Sequence, residues 1–436
     1  MSYDPTLERL LIFLQSSPTP WHATVNMARR LEQAGFRRLD ETQPWDLTPG
    51  ERIVVTRNDS SLIALQLPEG KLDALRLIGA HTDSPGLRLK PNASIVGRDW
   101  LQLGVEVYGG ALLAPWFDRD LGLAGRVHVR HTDGRLQGAL LNIERPVAIV
   151  PSLAIHLDRE ANNGRVINAQ TQMAPVLLQG GEGKDFDRLL KRWLYEQHAL
   201  EDIEVLDFEL CLYDTQPPGR VGIDGELIAS ARLDNLLSCF IGMEALLNSD
   251  GTQGAVLVAN DHEEVGSASA CGAQGPFLSD VLRRVHAQLD SAAQGDGEES
   301  WFRLLQASRL ISCDNAHALH PNFIDKHDAA HGPAINGGPV VKVNANQRYA
   351  TTSATAALFR DLCREAGVPS QTFVSRADMA CGSTIGPITA TELGIPTLDV
   401  GVPQWGMHSI RETAGSKDPD YLIRVLTAFI NRRELG

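Results

Sequence analysis

Two adjacent glutamates, Glu263 and Glu264, follow a short apolar run, residues 256–259, that has the composition of a buried strand. A carboxylate at a strand end can hold a divalent cation, and a neighbouring carboxylate that points elsewhere can take a proton from water. The pair therefore suggests one metal ligand and one general base. Glutamate pairs are also common on solvated surfaces, so this interpretation depends on which other residues reach the same place.

Four further candidate ligands occupy comparable positions after apolar runs or at a helix start: His81, Asp234, Asp314 and His408. A largely parallel sheet gathers the carboxyl ends of its strands at one edge, so we expect these side chains and Glu264 to converge on one crevice. Two histidines with three carboxylates suit zinc, with cobalt or manganese as alternatives, better than magnesium or calcium, which favour oxygen ligands.

The same set predicts two divalent ions per chain if one carboxylate bridges them. The predicted ligands are His81, Asp234 and Asp314 for one ion, and His408, Asp234 and Glu264 for the other. Three protein ligands per ion leave a position for water, whose pKa two ions would lower toward about 7, so that Glu263 could deprotonate it. Asp83, two residues after His81, could accept the other imidazole N–H and fix its tautomer.

Each candidate also has an ordinary structural interpretation. A histidine after a strand is often a core or surface residue, Asp234 could simply cap a helix, and Asp83 could belong to a turn. His317 and His320 are alternative ligand candidates, although their spacing is more typical of a loop or short helix. The argument for a metal centre therefore depends on the shared placement of the whole set.

The alternation of predicted helices and strands indicates an α/β fold, a three-layer sandwich with a largely parallel central sheet. We expect a discontinuous catalytic domain that carries the candidate metal ligands, residues 1–87 and 232–436, because both segments show this alternation. Residues 88–231 form short, glycine-punctuated alternating segments, which predict an inserted β-rich domain.

Composition excludes several classes of protein. The formal net charge of -14 argues against nucleic-acid partners, which require a basic face. No apolar run approaches the roughly 18 residues of a membrane span, and the first residues do not resemble an export signal, so we expect a cytoplasmic protein without a membrane partner. The six cysteines are scattered, which predicts reduced thiols and no zinc finger.

These motifs together resemble the aspartyl aminopeptidases, dinuclear zinc metallo-aminopeptidases of the zinc-exopeptidase group. The resemblance covers nearly the whole chain. It is carried by residues 17–23 (SPTPWHA), 79–85 (GAHTDSP), 233–235 (LDN), 261–266 (DHEEVG), 314–321 (DNAHALHP), 342–350 (KVNANQRYA) and 401–409.

The resemblance implies an enzyme that removes Asp or Glu from peptide N-termini, with two divalent metal ions and Glu263 as base. It also implies that Lys342 meets the acidic side chain of the substrate, with Tyr349 and His317 nearby. By the same resemblance, His156 would reach into the site of a neighbouring subunit, so the inserted domain, residues 88–231, would serve dimerisation and substrate closure. The chain would form dimers that assemble into a dodecamer. A local positive charge at Lys342 would reconcile an acidic substrate with the negative net charge.

Three alternatives remain open at this point. Fold does not fix substrate, so a broad-specificity aminopeptidase or a metal-dependent deacetylase could share the scaffold. A non-catalytic assembly particle that only retains the metal site is a third possibility. One departure from the family pattern, Asn315 after the candidate ligand Asp314, leaves the preference for Asp or Glu open.

Overall fold

The computed structural model describes residues 4–97, 99–180, 185–289 and 297–435. The chain divides into two compact units, each taken here by itself. The first comprises Met1–Asp83, Gly219–Met407 and Glu412–Gly436, and the second comprises Ser84–Pro218 and His408–Arg411.

The elements are numbered in chain order. The helices are α1 (Pro5–Ser16), α2 (Pro20–Gln33), α3 (Ala169–Gln172), α4 (Phe186–His198), α5 (Leu233–Leu247), α6 (Phe277–Leu289), α7 (Gly297–Ala307), α8 (Ser353–Glu365), α9 (Ile385–Leu393) and α10 (Asp418–Asn431). The strands are β1 (Arg37–Leu39), β2 (Arg52–Arg57), β3 (Ser61–Gln66), β4 (Leu75–His81), β5 (Gly86–Gly97), β6 (Trp100–Tyr108), β7 (Leu121–His131), β8 (Leu136–Ala148), β9 (Val176–Gln179), β10 (Ile203–Asp214), β11 (Gly219–Val221), β12 (Leu227–Ser230), β13 (Gly254–Asn260), β14 (Arg309–Cys313), β15 (Ala316–His317), β16 (Val340–Val343), β17 (Gln371–Val374), β18 (Thr397–Gly401), β19 (Pro403–Trp405) and β20 (Glu412–Gly415).

The first unit is built on a nine-stranded sheet in the order β1-β2-β3-β13-β4-β14-β18-β16-β17. The four central strands β13, β4, β14 and β18 are mutually parallel, whereas β3 and β16 pair antiparallel with this centre. The sheet is therefore mixed at its flanks and parallel where β4 lies. Because parallel neighbours end at the same edge, β13, β4 and β14 deliver their following residues side by side.

Helices cover both faces of this sheet, as the alternation of side chains along its strands requires. Ile78 on β4 and Leu257 on β13 face one apolar core, which also contains residues of α1, α2, α5, α8 and α10. Leu77 on β4 and Val256 on β13 face the other core, with residues of α6 and α7. The predicted fold class, an α/β sandwich with an inserted β-rich part, is confirmed.

A small residue sets how closely α5 approaches the sheet. A Cβ added at Gly242 would lie 2.8 Å from Leu257 Cδ1 and 3.0 Å from Ile78 Cγ2, both on central strands. The helix therefore packs against β13 and β4 with almost no intervening space. This contact fixes the position of the start of α5, where Asp234 is located.

The second unit contains an antiparallel six-stranded sheet in the order β8-β7-β10-β5-β6-β9. Its own apolar core includes Phe186, Leu190 and Trp193 from α4. The short segment His408–Arg411 belongs to this unit: Leu112 donates its N–H to the His408 carbonyl at 3.0 Å, and Ile410 is buried in the core.

The compact units change at Asp83/Ser84 and Pro218/Gly219, whereas the sequence predicts boundaries at 87/88 and 231/232. The second difference has a clear cause, since β12 pairs antiparallel with β20, and β11 pairs with β12, in a five-stranded sheet of the first unit. The role of residues 88–231 in dimerisation stays a prediction. Within the described part of the chain, no helix combines the length and apolar content needed to cross a bilayer.

Candidate metal centre

Three neighbouring strand ends place the first candidate residues. His81 is the last residue of β4, Asp314 directly follows β14, and Glu263 and Glu264 lie in a short 3-10 turn after β13. The register pairs Asn260, the last residue of β13, with His81. Adjacent parallel strands therefore bring histidine and carboxylate side chains to one edge of the sheet.

The distances show how closely these side chains meet. His81 Nε2 lies 3.4 Å from Asp234 Oδ1 and 4.0 Å from Asp314 Oδ2. Two groups of possible ligand atoms each lie within 4.8 Å of one another: His81 with Asp234 and Glu264, and His81 with Glu263 and Asp314. His81, Asp234 and Asp314 are buried.

Asp83 fastens the turn that carries the two glutamates. Its carboxylate accepts the N–H of Glu263 on Oδ1 and the N–H of Glu264 on Oδ2, both at 3.1 Å. The sequence suggested that this carboxylate would orient His81. His81 Nδ1 lies 3.4 Å from Asp83 Oδ1 and closer, at 3.1 Å, to the Asp83 backbone carbonyl. A proton on Nδ1 satisfies that carbonyl and leaves Nε2 with a lone pair toward the carboxylates.

Burial and crowding strongly perturb the acids of this site. Burial, with the negative charges of Asp314 and Asp234 added, raises the pKa of Glu263 to about 7. Burial and the charge of Asp234 raise the pKa of Glu264 well above its usual value, and the pKa of Asp314 is raised by the same causes. Burial alone would lower the pKa of His81, but interactions with Asp234 and Asp83 raise it well above normal.

This donor set fits a divalent zinc ion. An imidazole nitrogen and several carboxylate oxygens within one small volume are the ligands that zinc accepts in catalytic sites. Burial is the largest cause of the raised carboxylate pKa values, and a divalent cation would relieve the like-charge repulsion that adds to it. At this edge of the sheet, His81, Asp234, Glu264 and Asp314 are residues that could hold such an ion.

Two further predicted histidines of the site, His408 and His156, belong to the second unit. His408 Nδ1 lies 3.0 Å from the Gly110 carbonyl oxygen, so a proton on Nδ1 would leave Nε2 available as a ligand. His156 lies in an exposed turn after β8.

Lys342 on β16 is buried, with only 2% of its surface exposed. Its Nζ donates to the Asn315 carbonyl at 3.1 Å and lies 3.7 Å from Asp314 Oδ1. It also lies 5.1 Å from the ring centroid of Tyr349, which is itself buried. A buried ammonium group thus stands next to a candidate metal ligand.

A cavity of about 290 Å³ is lined in part by Tyr349, the residue whose ring lies near Lys342. Its lining includes His317, Tyr349, Phe373, Cys381 and Trp405. His317 meets the Phe373 ring edge-on, with ring centroids 5.7 Å apart. His317 is therefore part of a cavity wall, and within the described chain no candidate metal group includes it or His320.

A buried hydrogen-bond chain that the sequence analysis missed connects these groups. The Asn315 side chain donates to Gln404 Oε1 at 2.9 Å, Gln404 donates to Glu412 Oε1 at 3.3 Å, and Glu412 Oε2 accepts the N–H of Asp234 at 2.9 Å. The polar side chain of Asn315 thus has a definite partner. The sequence offers one indication of this hydrogen-bond chain: Gln404 lies four residues before His408, and Glu412 lies four residues after it.

Comparisons with known proteins agree with this geometry. A family model described as aminopeptidase I zinc metalloprotease (M18) matches residues 13–430. The "Probable M18 family aminopeptidase 2" of Pseudomonas aeruginosa (strain UCBPP-PA14) is 56% identical over 432 residues, which cover 98% of each chain.

Solved structures show the same fold. A cryo-EM structure of the Ape4 and Nbr1 complex matches with a TM-score of 0.92 and 38% identity, over 98% of this chain and 85% of that chain. The S. cerevesiae mApe1 dodecamer matches with a TM-score of 0.85 and 26% identity, over 98% and 96% of the two chains. The chain therefore belongs to the M18 family of zinc metalloproteases, and it is an aminopeptidase that hydrolyses peptide bonds at the N-terminus.

Proposed function

We propose that the enzyme removes N-terminal Asp and Glu residues from peptides. The observation that carries this proposal is the buried ammonium group of Lys342, 3.7 Å from the candidate ligand Asp314. A buried lysine is costly unless a negative charge compensates it, and a substrate carboxylate would add a second partner. The chain carries a formal charge of -14, so this local positive group is what an acidic side chain needs.

The proposed metal ligands for two zinc ions are His81, Asp234, Glu264, Asp314 and His408, with Asp234 as the bridge. The first four are supported by the close approach of their donor atoms to His81. His408 is supported by its sequence position and by the Nδ1 contact that would leave Nε2 for a ligand. When bound, zinc polarises the scissile carbonyl and makes bound water more acidic.

Glu263 is the proposed general base. Its pKa of about 7 means that it can both accept and release a proton near neutral pH, although a bound cation would lower this value. The Asp83 carboxylate accepts the backbone N–H of Glu263. This hydrogen bond fixes the backbone from which the Glu263 side chain extends beside His81. Glu263 would take a proton from the attacking water and return it to the leaving amine.

The pocket beside Lys342 supports selection of the first residue. Tyr349 packs against the lysine, and burial raises the pKa of Tyr349, so its hydroxyl stays protonated and can donate to a carboxylate. His317 lies in the wall of the adjoining cavity. One ammonium group and one hydroxyl donor would favour Asp and Glu over neutral side chains of similar size.

Lys342→Met tests the proposal, because methionine preserves the length of the side chain and removes its charge. We expect kcat/KM for Asp-leading peptides to fall by about 10²-fold or more, with much less change for Leu-leading peptides. Zinc content is measured in parallel, and the matched control is Lys326→Met, which alters a lysine that lines the cavity. An equal loss on both substrates at normal zinc content would contradict acid selection. Cleavage of N-acetylated substrates instead would favour the deacetylase alternative.

We also propose that the chain self-associates. Support comes from the dodecameric S. cerevesiae neighbour and from apolar side chains exposed around His156, including Leu157 (74% exposed) and Val166 (87% exposed). Light scattering should find a mass several times that of the chain.

His156→Ala should lower kcat if this residue serves a neighbouring site, whereas the exposed His128→Ala should not. A fully active monomer would contradict both the self-association and the role of His156 in a neighbouring site.

A further inference from the structure

A second group of possible metal-ligating side chains lies on the other side of the turn that carries Glu263. Asp261, His262 and Cys271 place one ligand atom each within 4.8 Å of one another. A single cation would take one ring nitrogen of His262: Nδ1 lies 3.6 Å from Cys271 Sγ, and the other nitrogen, Nε2, lies 3.4 Å from Asp261 Oδ2. None of these three residues was among the candidate ligands predicted from the sequence.

The backbone around this group is firmly held. The Cys271 carbonyl accepts hydrogen bonds from Ser61 Oγ and from Asn260 Nδ2, both at 3.0 Å. Ser61 Oγ also accepts the N–H of Asp261 at 2.8 Å. Strands β3 and β13 thus fix both ends of the segment, so its donor atoms are positioned before any ligand arrives.

The degree of burial suits a small ligand. Asp261 and Cys271 are buried, with 0% and 3% of their surfaces exposed, whereas the side chain of His262 is 24% exposed. An ion could therefore approach along the imidazole and meet the two buried donors behind it.

The chemistry of the donors selects the ligand class. A thiolate, an imidazole and a carboxylate suit borderline or soft cations such as zinc and cadmium, whereas magnesium and calcium require oxygen-rich shells. Burial alone would raise the pKa of the Cys271 thiol, but hydrogen bonds with His262 and Ser269 lower it below its ordinary value. By contrast, the candidate groups around His81 contain no sulfur ligand.

We propose that Asp261, His262 and Cys271 form a separate site for a zinc-like or cadmium-like cation, additional to the centre around His81. The proposal of this site does not depend on which N-terminal residues the enzyme removes. It also does not depend on how many ions bind at the first centre. Three protein donors leave one position of a tetrahedral shell for water or for the neighbouring Ser269 hydroxyl.

Cadmium provides a direct probe, because cadmium–thiolate bonds absorb in the ultraviolet. Zinc-loaded enzyme is titrated with cadmium chloride while the absorbance is recorded, and bound metal is then measured after gel filtration. We expect a thiolate absorbance in the wild type and roughly one more cation per chain than in Cys271→Ser. Cys381→Ser, which alters a more exposed free cysteine, should keep both signals.

His262→Gln supplies a second test that leaves the thiol in place. Loss of the imidazole should weaken cadmium binding by roughly tenfold or more, with the absorbance reached only at higher metal. Circular dichroism confirms that each variant is folded, and Cys271→Ala replaces Cys271→Ser if the serine variant is not. The proposal would be overturned if the cadmium–thiolate absorbance persisted in the variant without the Cys271 thiol. It would also be overturned if the wild type showed no such absorbance.

Discussion

The carboxylate of Asp418 and those of the metal centre, all in the first unit, have different surroundings. At the start of α10, Asp418 accepts the N–H of Gly338 at 2.9 Å and the N–H of Asn336 at 2.7 Å. Burial raises the pKa of Asp418 to about 6 although these hydrogen bonds oppose the rise. At the metal centre, burial acts together with neighbouring carboxylates, as the raised pKa values of Glu263 and Asp314 show.

The difference separates two ways of tolerating buried negative charge. A single carboxylate can be accommodated by backbone N–H groups at a helix start. Several carboxylates that share one volume repel one another, and a divalent cation offsets that repulsion directly. Zinc should therefore change the behaviour of the centre and leave Asp418 unaffected, and this contrast can be tested.

The largest expected effect comes from removing a charge at the centre while keeping its shape. Glu263→Gln should lower kcat by at least about 10²-fold, because it removes general-base assistance. Zinc content should stay normal, since Glu263 is not among the proposed ligands. Kinetics on Asp-leading peptides and metal analysis measure both quantities, with the exposed Glu69→Gln as the control. Unchanged turnover would exclude Glu263 as the base.

The next effect concerns the residue that positions the turn. Asp83→Asn replaces one acceptor oxygen by an NH₂ group, which cannot accept the N–H of Glu263 or Glu264. We expect zinc affinity to fall by about 10- to 100-fold, as for other outer partners of metal ligands. Competition with a chelator measures the affinity, and the exposed Asp73→Asn is the control. Unaltered affinity would mean that the turn is held by other contacts.

A smaller effect is the dependence of zinc stabilisation on pH. In metal-free protein, the raised pKa values of Glu263, Glu264 and His81 add stability at low pH that is lost as pH rises. For Glu263 the loss begins above its ordinary value, near pH 4.5, and continues through about 7. The increase in Tm on adding zinc should therefore be larger at about pH 8 than at about pH 5, by a few degrees. An increase that does not vary with pH would contradict this account.

The smallest effect isolates Asp418. Its folded-state pKa of about 6 lies above its ordinary 3.8, so its contribution to stability is present below 3.8 and is lost as pH rises through 6. The zinc-loaded wild type should lose more Tm between about pH 4 and 7 than Asp418→Asn does, by roughly a degree or two. Thermal melts with and without zinc should give the same difference. If zinc abolishes it, the two regions are not independent.

Much of this arrangement could be predicted from the sequence because it depends on strand ends. The apolar runs before His81, Glu263 and Asp314 indicate buried strands, and a parallel sheet places such ends together. The roles of these residues stay predictions, as do those of His408 and His156. The family is confirmed, whereas acid preference is not decided by fold.

The rest depends on contacts between distant segments. Asp234 and Glu412 are 178 residues apart, and the pattern of neither segment indicates that Glu412 accepts the Asp234 N–H. The sequence pattern also gives little indication of α9, because its hydrophobic residues show little preference for one face. Likewise, Asp83 accepts two backbone N–H groups only because the turn has the right backbone conformation. In this turn, His262 has φ +66° and Gly266 has φ +97°.

The order of strands in the central sheet bears on how the chain folds during synthesis. β4 leaves the ribosome early, but its neighbours β13 and β14 follow about 170 to 240 residues later, at Gly254–Asn260 and Arg309–Cys313. The antiparallel sheet of the second unit comes from one continuous stretch within Ser84–Pro218 and can form first. Both edges of nascent β4 therefore remain unpaired until β13 and β14 have been made, and unpaired edges can pair with other chains. This strand is where protection by chaperones matters most.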